Sequence, residues 1–134
     1  MFKVMKEIHY CYGHRLMNYQ GLCRHPHGHN GRARFELSSE TLDARGMVTD
    51  FTDIKNAMKD WIDHEIDHKM LLRKDDPAVE VFRKMGEPVY VLDDNPTAES
   101  MARLFFEKAK SFGFPVTRVT VWETETSSAT YSGV

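Results

Sequence analysis

The sequence predicts an α+β fold in which an antiparallel four-stranded sheet carries two helices on one face, in the order ββααββ. Two segments of alternating apolar and polar residues near the start predict strands, and two amphipathic segments in the middle predict helices. A further alternating segment near the end predicts the second pair of strands. Neither an internal repeat nor a linker interrupts this order, so residues 1–134 are interpreted as a single domain.

The first two strands are predicted over residues 2–12 and 32–42, which would pair as a long antiparallel hairpin. In the second segment the alternate apolar residues are Ala33, Phe35 and Leu37, and the polar ones are Arg32, Arg34 and Glu36. Residues 18–31 between the strands contain three glycines, one proline and three histidines. This composition is too polar and too broken for a regular element, so the segment is predicted to be an ordered loop.

The first helix is predicted over residues 50–66, because Asp50 suits a helix start and apolar residues follow it at close to helical spacing. A charged stretch then leads to a short helix over residues 78–85 and a short strand over residues 88–92.

The second long helix is predicted to begin at Asn95-Pro96-Thr97, where Thr97 or Asn95 would cap it and Pro96 suits the first turn. The last two strands are predicted over residues 116–122 and 129–134. An open sheet of this kind leaves edge strands to cover, which favours oligomerisation. The apolar face of the helix would consist of Ala98, Met101, Leu104, Phe105, Ala109 and Phe112.

The composition excludes several classes of protein. The apolar share is 41% and the charged share 28%, both typical of globular domains. No apolar run approaches the roughly 18 residues that span a bilayer, and the first residues lack the apolar stretch of a signal peptide. The net charge of -2 gives no reason to expect a nucleic-acid partner. We therefore expect a cytoplasmic protein that binds neither membrane nor nucleic acid.

Three histidines are predicted to meet at one point. If the second strand already begins at His27 and His29, these side chains, two residues apart, share a face, and His14 is their neighbour across the hairpin. Three imidazoles with a vacant fourth position are typical of a catalytic zinc site. Iron, cobalt or nickel would also accept these ligands, and the alternative without metal is a polar loop whose histidines are merely exposed.

The two cysteines receive different interpretations. Cys23 precedes His27 by four residues, so it either completes a tetrahedral structural site with the three histidines or remains a thiol that accepts a proton beside a cation. Cys11 lies in an apolar strand context and is interpreted as a small buried hydrophobic residue. A non-secreted chain of this size is expected to keep both as thiols.

Two further groups are candidates for the chemistry. Asp67 and His68 follow the first helix, where a carboxylate could orient an imidazole as a proton relay, although such a dipeptide is more often a helix-terminal histidine beside a solvated aspartate. Glu123 ends a strand, where a buried carboxylate needs donors such as the forked edge of a guanidine-like ligand. The alternative is a solvated glutamate in a turn.

The motifs extend over nearly the whole chain, and together they resemble the 6-pyruvoyltetrahydropterin synthase and 6-carboxytetrahydropterin synthase family of the tunnelling fold. The Cys-x-x-x-His-Gly-His element and the Asn-Pro-Thr-Ala-Glu element are highly specific. The motifs are Gly13-His14-Arg15-Leu16, Cys23 with His27-Gly28-His29-Asn30, Gly46-Met47-Val48-Thr49-Asp50-Phe51, Ile66-Asp67-His68, Asn95-Pro96-Thr97-Ala98-Glu99 and Val121-Trp122-Glu123-Thr124.

The resemblance implies roles for these residues. It implies that Cys23 abstracts a proton, that Asp67 and His68 form its relay, and that Glu123 anchors a pterin ring. The other implied residues are the zinc ligands His14, His27 and His29 and the pterin-contacting residues Thr124 and Thr97. It also implies a β-barrel of several subunits, commonly a homohexamer made of two trimers, with active sites at subunit interfaces.

The implied substrate is 7,8-dihydroneopterin triphosphate. The compact chain resembles the bacterial members, which favours the carboxy-forming lyase of queuosine-type deazapurine synthesis over the pyruvoyl-forming enzyme of tetrahydrobiopterin-type pathways. A non-catalytic metal-binding or pterin-binding module is the alternative from another class. Replacing Cys23 by alanine would distinguish it, since such a module has no turnover to lose.

Some positions depart from the usual pattern of the family. Tyr12-Gly13 stands where small alanines are common, Pro26 replaces an apolar residue such as leucine, and Gly31 replaces an aromatic residue. These changes affect the walls of the pocket and leave its ligands intact, so they bear on the exact substrate. His25 is an additional histidine that could carry protons.

Overall fold

The protein is described by a computed structural model that covers residues 1–133. Within that range, one six-stranded sheet has the order β4-β3-β1-β2-β5-β6, and three helices accompany it. The strands are β1 (Phe2–His14), β2 (His27–Ser39), β3 (Lys69–Arg73), β4 (Val89–Leu92), β5 (Val116–Thr124) and β6 (Ser127–Tyr131), and the helices are α1 (Phe51–Glu65), α2 (Ala78–Lys84) and α3 (Ala98–Ser111).

The predicted hairpin of β1 and β2 is the centre of the sheet. The strands pair antiparallel from Phe2 opposite Ser39 to His14 opposite His27. Side chains alternate between the two faces of a strand, so one face of the hairpin is apolar and packs under the helices. The buried residues on that face are Ile8, Tyr10, Tyr12, Ala33, Phe35 and Leu37.

The two long helices begin where the sequence predicts. The Asp50 carboxylate accepts a hydrogen bond from the backbone N–H of Thr52 and caps α1, and the Thr97 hydroxyl accepts from Ser100 N–H and caps α3. Phe112, predicted on the apolar face of α3, is 46% exposed because it lies beyond the last buried turn. The buried residues are Ile54, Met58 and Ile62 of α1 and Ala98, Met101, Ala102, Phe105, Phe106 and Ala109 of α3.

The α+β class is confirmed, while the sheet is larger than the predicted four antiparallel strands. Two short strands, β3 and β4, extend it beyond β1, and both pairings, β1 with β3 and β3 with β4, are parallel. The sequence of β3 shows no alternation, because Leu71 and Leu72 are both fully buried, so the pattern that reveals a half-buried strand is missing. The second strand also begins at His27 rather than at residue 32.

The C-terminal strands lie at the opposite edge of the sheet. β5 pairs with β2, and β6 pairs with β5, both antiparallel. Of the strand predicted over residues 129–134, the last residue lies outside the described residues. No helix in the described part of the chain has the length and apolar character that crossing a membrane requires.

Candidate metal centre and its surroundings

The register of the hairpin brings three imidazoles together. His14 lies directly opposite His27, and Tyr12 lies opposite His29, so these four side chains occupy neighbouring positions on the face that carries the helices. The Nε2 atom of His14 is 3.0 Å from Nε2 of His27 and 3.2 Å from Nε2 of His29. The structure therefore brings together the three histidines that the sequence singled out.

Backbone carbonyls orient two of these rings. Nδ1 of His14 donates to the carbonyl oxygen of Pro96 at 2.7 Å, and Nδ1 of His27 donates to the carbonyl oxygen of His25, also at 2.7 Å. A hydrogen on Nδ1 leaves the lone pair on Nε2, the atom that faces the other rings. His25 thus contributes through its backbone, whereas its exposed side chain has no contact that suggests proton transfer.

Burial favours the neutral form of two of the three imidazoles. Desolvation lowers the pKa of His14 to about 4, and the hydrogen bond to Pro96, which raises the pKa, offsets only part of that effect. Desolvation also lowers the pKa of His29, against the opposing influence of the Glu123 carboxylate. Neutral imidazoles are the form that binds a metal ion, so His14 and His29 are in their ligating form at neutral pH.

The donor set fits a tetrahedral metal ion. Imidazole nitrogens at about 2.0–2.1 Å from a tetrahedral zinc are about 3.3 Å from one another, close to the separations between Nε2 of His14 and its two neighbours. Within residues 1–133, His14, His27 and His29 form the one group of at least three His, Cys, Asp or Glu side chains whose ligand atoms converge. Cys23 is not a member of that group, so a fourth coordination position would be left for a ligand oxygen.

A polar clamp holds the loop between β1 and β2 against the start of α3. The side-chain amide of Asn95 accepts from Met17 N–H at 2.9 Å and donates to the carbonyl oxygen of Met17 at 2.7 Å. This pair fixes the residue before Pro96, whose carbonyl orients His14. The sequence marked Asn95 only as a helix cap, so its role in supporting the histidine cluster was missed.

Cys23 lies in a single 3-10 turn, Leu22–Arg24, of the same loop. Cys23 is half-buried, and its carbonyl oxygen accepts a hydrogen bond from Leu16 N–H at 2.8 Å. This bond holds the turn close to the end of β1. The turn places Cys23 on the loop that carries the chain from His14 to His27.

Asp67 and His68 contact each other, and the backbone of Cys11 holds the Asp67 carboxylate. Asp67 Oδ1 accepts from Cys11 N–H at 2.8 Å, and Asp67 Oδ2 lies 2.7 Å from Nδ1 of His68. Burial opposes ionisation of Asp67, but these hydrogen bonds outweigh it and keep the pKa of its carboxyl below the usual value. His68 has a φ of 59°, a conformation uncommon for residues other than glycine and frequent at functional sites.

Within one protomer, the cysteine that lies near His68 is Cys11 and not Cys23. A cavity of about 810 Å³ is lined by His68, Cys11 and Asn30, and Cys23 is not among its lining residues. Cys11 is exposed, and its thiol donates to the side-chain oxygen of Asn30 at 3.0 Å, so its interpretation as a buried hydrophobic residue was wrong. It occupies the outward-facing position between the buried residues Tyr10 and Tyr12.

Glu123 lies where two cavities meet beside the histidines. Its Oε1 is 4.0 Å from Nε2 of His14. It lines a cavity of about 440 Å³ with Thr97 and Glu99, and a second cavity of about 650 Å³ with His29 and Thr124. Glu99 was not singled out from the sequence, although it belongs to the Asn-Pro-Thr-Ala-Glu motif that could have revealed it.

Two buried tyrosines complete the wall behind the histidines. Tyr12 packs edge-on against His14, with ring centroids 5.1 Å apart, and Tyr10 packs against Phe105. Neither hydroxyl has a hydrogen-bond partner among residues 1–133. Tyr10 occupies the space above Gly31, where a Cβ atom would lie 2.5 Å from its ring. Tyr10 also packs against Tyr12, with ring centroids 5.6 Å apart, so Gly31, Tyr10 and Tyr12 belong to one packing arrangement.

Comparison with known proteins supplies relatives of known name. A protein from Rickettsia bellii named 6-carboxy-5,6,7,8-tetrahydropterin synthase is 33% identical over 131 residues, covering 92% of this chain and 95% of the relative. A protein of the same name from Aquifex aeolicus is 34% identical over 122 residues, covering 81% and 75%.

Solved structures give the same result for the fold. An uncharacterised protein from Wolinella succinogenes has a TM-score of 0.81 at 28% identity, covering 99% of this chain and 98% of that chain. The 6-pyruvoyl tetrahydropterin synthase of Caenorhabditis elegans has a TM-score of 0.74 at 26% identity, covering 99% and 96%. The family model described as 6-pyruvoyl tetrahydropterin synthase matches residues 3–134. The chain therefore belongs to the 6-pyruvoyl tetrahydropterin synthase family.

Proposed function

We propose that the protein is a zinc-dependent lyase that converts 7,8-dihydroneopterin triphosphate to 6-carboxy-5,6,7,8-tetrahydropterin in queuosine-type deazapurine synthesis. The observation that carries the proposal is the convergence of three imidazoles, His14, His27 and His29, on one point with room for a further ligand. The relatives named for this activity support the choice of reaction.

His14, His27 and His29 would hold the metal through Nε2. Zinc bound there would act as a Lewis acid that lowers the pKa of the substrate's side-chain hydroxyls. The hydrogen bonds from Nδ1 to Pro96 and His25 fix two of the rings in advance, so little reorganisation accompanies binding.

Glu123 would anchor the pterin ring. Its carboxylate can accept two parallel hydrogen bonds from the amino-pyrimidine edge of a pterin, in the manner of a guanidinium. Thr97 shares a cavity with Glu123 and can add a hydroxyl contact, and Thr124 lines the adjoining cavity. Glu123 lies close to the proposed metal ligands, with its Oε1 4.0 Å from Nε2 of His14, so a pterin bound to this carboxylate would lie beside the histidine cluster.

Cys23 would accept the proton that leaves the substrate side chain, and His68, oriented by Asp67, would hold or return protons. Because Asp67 Oδ2 lies beside Nδ1 of His68, Nε2 of that ring is left to exchange protons. The ring itself is largely exposed in the protomer, so it is available to a partner group.

We infer that the site is completed across a subunit interface. Within one protomer the cavity beside His68 is lined by Cys11 and not by Cys23, so a thiol from a neighbouring subunit is the natural partner of the relay. The terminal strands β4 and β6 each have one neighbour in the sheet of a protomer. Both edges are thus available for the barrel of a homohexamer built from two trimers.

Incubation of the purified protein with zinc and 7,8-dihydroneopterin triphosphate tests the proposal. The carboxy-forming reaction consumes one water and releases triphosphate together with acetaldehyde, so both should appear in equal amounts with the carboxypterin identified by mass. Triphosphate release without acetaldehyde would instead support the pyruvoyl-forming reaction, which the name of the Caenorhabditis elegans structure favours. Release of neither product by metal-loaded protein contradicts both.

A further inference from the structure

The cavity of about 650 Å³ extends beyond the residues used above. His29 and Glu123 form one part of its lining, and His9, Arg32 and Trp122 form another. In the sheet His9 lies opposite Arg32, and Arg32 lies opposite Trp122, so these three side chains are neighbours across adjacent strands. They lie on the face opposite the helices, because the alternate residue Ala33 is buried in the core.

Arg32 stacks on Trp122 and has only a longer ion pair with a carboxylate. Its guanidinium carbon lies 4.0 Å from the centroid of the Trp122 ring. The carboxylate of Glu7 is 3.7 Å away, beyond hydrogen-bond distance, and among residues 1–133 the Arg32 guanidinium makes no hydrogen bond. The stacked face leaves the donors at the edge of the guanidinium free for a ligand.

Arg34 provides the contrast on the same strand. Its Nε donates to Glu7 Oε1 at 3.0 Å and its second terminal nitrogen lies 2.9 Å from the same oxygen, so Glu7 neutralises this guanidinium. Arg34 is also more distant from Trp122, at 5.0 Å. Of the two arginines, Arg32 is therefore the one that can meet an anion in the cavity.

A planar guanidinium with free edge donors matches two oxygens of a phosphate. Glu125 also lines the cavity and its carboxylate would repel an anion, so an anion bound there would contact Arg32 and not Glu125. The two cavities meet at Glu123, and the one with Thr97 would take the pterin ring. The other is lined by both His29 and Arg32, so one continuous space connects the surroundings of the histidine cluster with the guanidinium.

We propose that Arg32, stacked on Trp122, binds the triphosphate of the substrate. This inference rests on the proposed function, because it assumes that Glu123 and the histidine cluster hold the pterin and its side chain. It assigns to Arg32 the recognition of the leaving group and leaves the chemistry to the residues named above.

The test measures binding by calorimetry in a Cys23→Ser background with zinc, so that no turnover occurs. The probes are 7,8-dihydroneopterin triphosphate, 7,8-dihydroneopterin without phosphates, and inorganic tripolyphosphate. We expect Arg32→Gln to weaken binding of the two phosphorylated probes about tenfold or more and to leave dihydroneopterin unchanged. Arg32→Lys keeps the charge but loses the forked donors, so its affinity for the phosphorylated probes should lie between those of the parent and Arg32→Gln. Arg34→Gln, the matched control, should bind all three probes like the parent.

The outcomes separate this inference from the function on which it rests. If dihydroneopterin binds the parent and Arg32→Gln lowers affinity for all probes equally or for none, the assignment of Arg32 is overturned while the pterin site stands. If Arg34→Gln weakens the phosphorylated probes as much as Arg32→Gln, general charge explains the effect and the assignment is again overturned. If the metal-loaded parent binds no pterin at all, the proposed function fails and the inference fails with it.

Discussion

Nδ1 of His14 lies 2.7 Å from the carbonyl oxygen of Pro96, so the residue before the cap of α3 orients an imidazole at the end of β1. The two residues are 82 positions apart in the chain. The contact links the helix layer to the end of the sheet at the point where the three imidazoles meet. The strength of the metal site should therefore depend on the loop before α3 as well as on the ligands.

Asn95→Ala should weaken metal binding without removing a ligand. It deletes both hydrogen bonds to Met17 and frees the loop that holds the Pro96 carbonyl, and loss of such supporting contacts lowers metal affinity about 10-fold to 100-fold. Competition with a chromogenic chelator measures this. Asp93→Asn, at an exposed position of the same loop, should keep the parent affinity. Equal affinities for all three proteins would show that the loop does not support the site.

The sequence predicted the parts of this site that follow from local pattern. Alternation aligned His27 with His29, and pairing of the hairpin brought His14 to them, because a strand's side-chain period fixes which residues share a face. The carbonyl partners of the rings could not be predicted in this way. Pro96 reaches His14 only through the packing of α3 on the sheet, and no periodicity encodes that contact.

The same dependence on local pattern explains why β3 was missed, whereas β4 matches the short strand predicted over residues 88–92. β3 is five residues long and pairs in parallel with β1, so it has neither a hairpin turn nor an alternating face to reveal it. Asp67 lies just before the start of β3, so the pairing of β3 with β1 also determines its position. There its carboxylate accepts a hydrogen bond from Cys11 N–H. A sequence that shows Asp67-His68 after a helix therefore identifies the pair but not the strand that holds it.

Cys23→Ser should keep the metal and lose turnover, whereas His27→Ala should lose both. Cys23 lies outside the group of converging ligand atoms, so its removal leaves the three imidazoles intact. Metal content by elemental analysis after dialysis, together with product formation, checks the prediction. Loss of metal from Cys23→Ser would instead identify a structural Cys-His₃ site, the alternative that the sequence left open.

The metal-free protein should lose stability as the pH falls from 7.5 to 5. The pKa of His14 is about 4 in the folded state and about 6.5 in an unfolded chain, so the unfolded chain binds more protons between these values. The stability is fully present above the unfolded pKa and is lost as the pH falls towards the folded one. We expect a decrease of about 2 kcal/mol in the free energy of unfolding.

Urea unfolding at the two pH values measures this decrease. His14→Leu should reduce it, because the buried titrating group is gone, while His64→Gln at an exposed position should leave it as in the parent. A pH dependence that is the same in His14→Leu and in the parent would assign the loss of stability to other groups.

Gly31→Ala should destabilise the protein by about 1–3 kcal/mol, because the added Cβ would lie 2.5 Å from the ring of Tyr10. That ring is buried against Phe105 and cannot simply turn away. Tyr10→Leu should remove most of the conflict, so the two substitutions should be strongly non-additive. Thermal or urea unfolding of the parent, the two single variants and the double variant measures the coupling. Purely additive effects would mean that Gly31 is needed for another reason.

If Cys23 of one subunit works with Asp67 and His68 of another, mixing the inactive variants Cys23→Ser and His68→Gln should restore activity. Cys23→Ser keeps Asp67 and His68, and His68→Gln keeps Cys23, so a hybrid oligomer contains some sites with both groups intact. Random mixing of equal amounts places an intact thiol beside an intact relay in about a quarter of the sites. Refolding the variants together and separately, then measuring product formation, tests this. The double variant mixed with the parent supplies the control, because its subunits contribute neither group. Mixtures as inactive as the separate variants would place thiol and relay in the same subunit, and would require the Cys23 turn to reach His68 by a rearrangement of its loop.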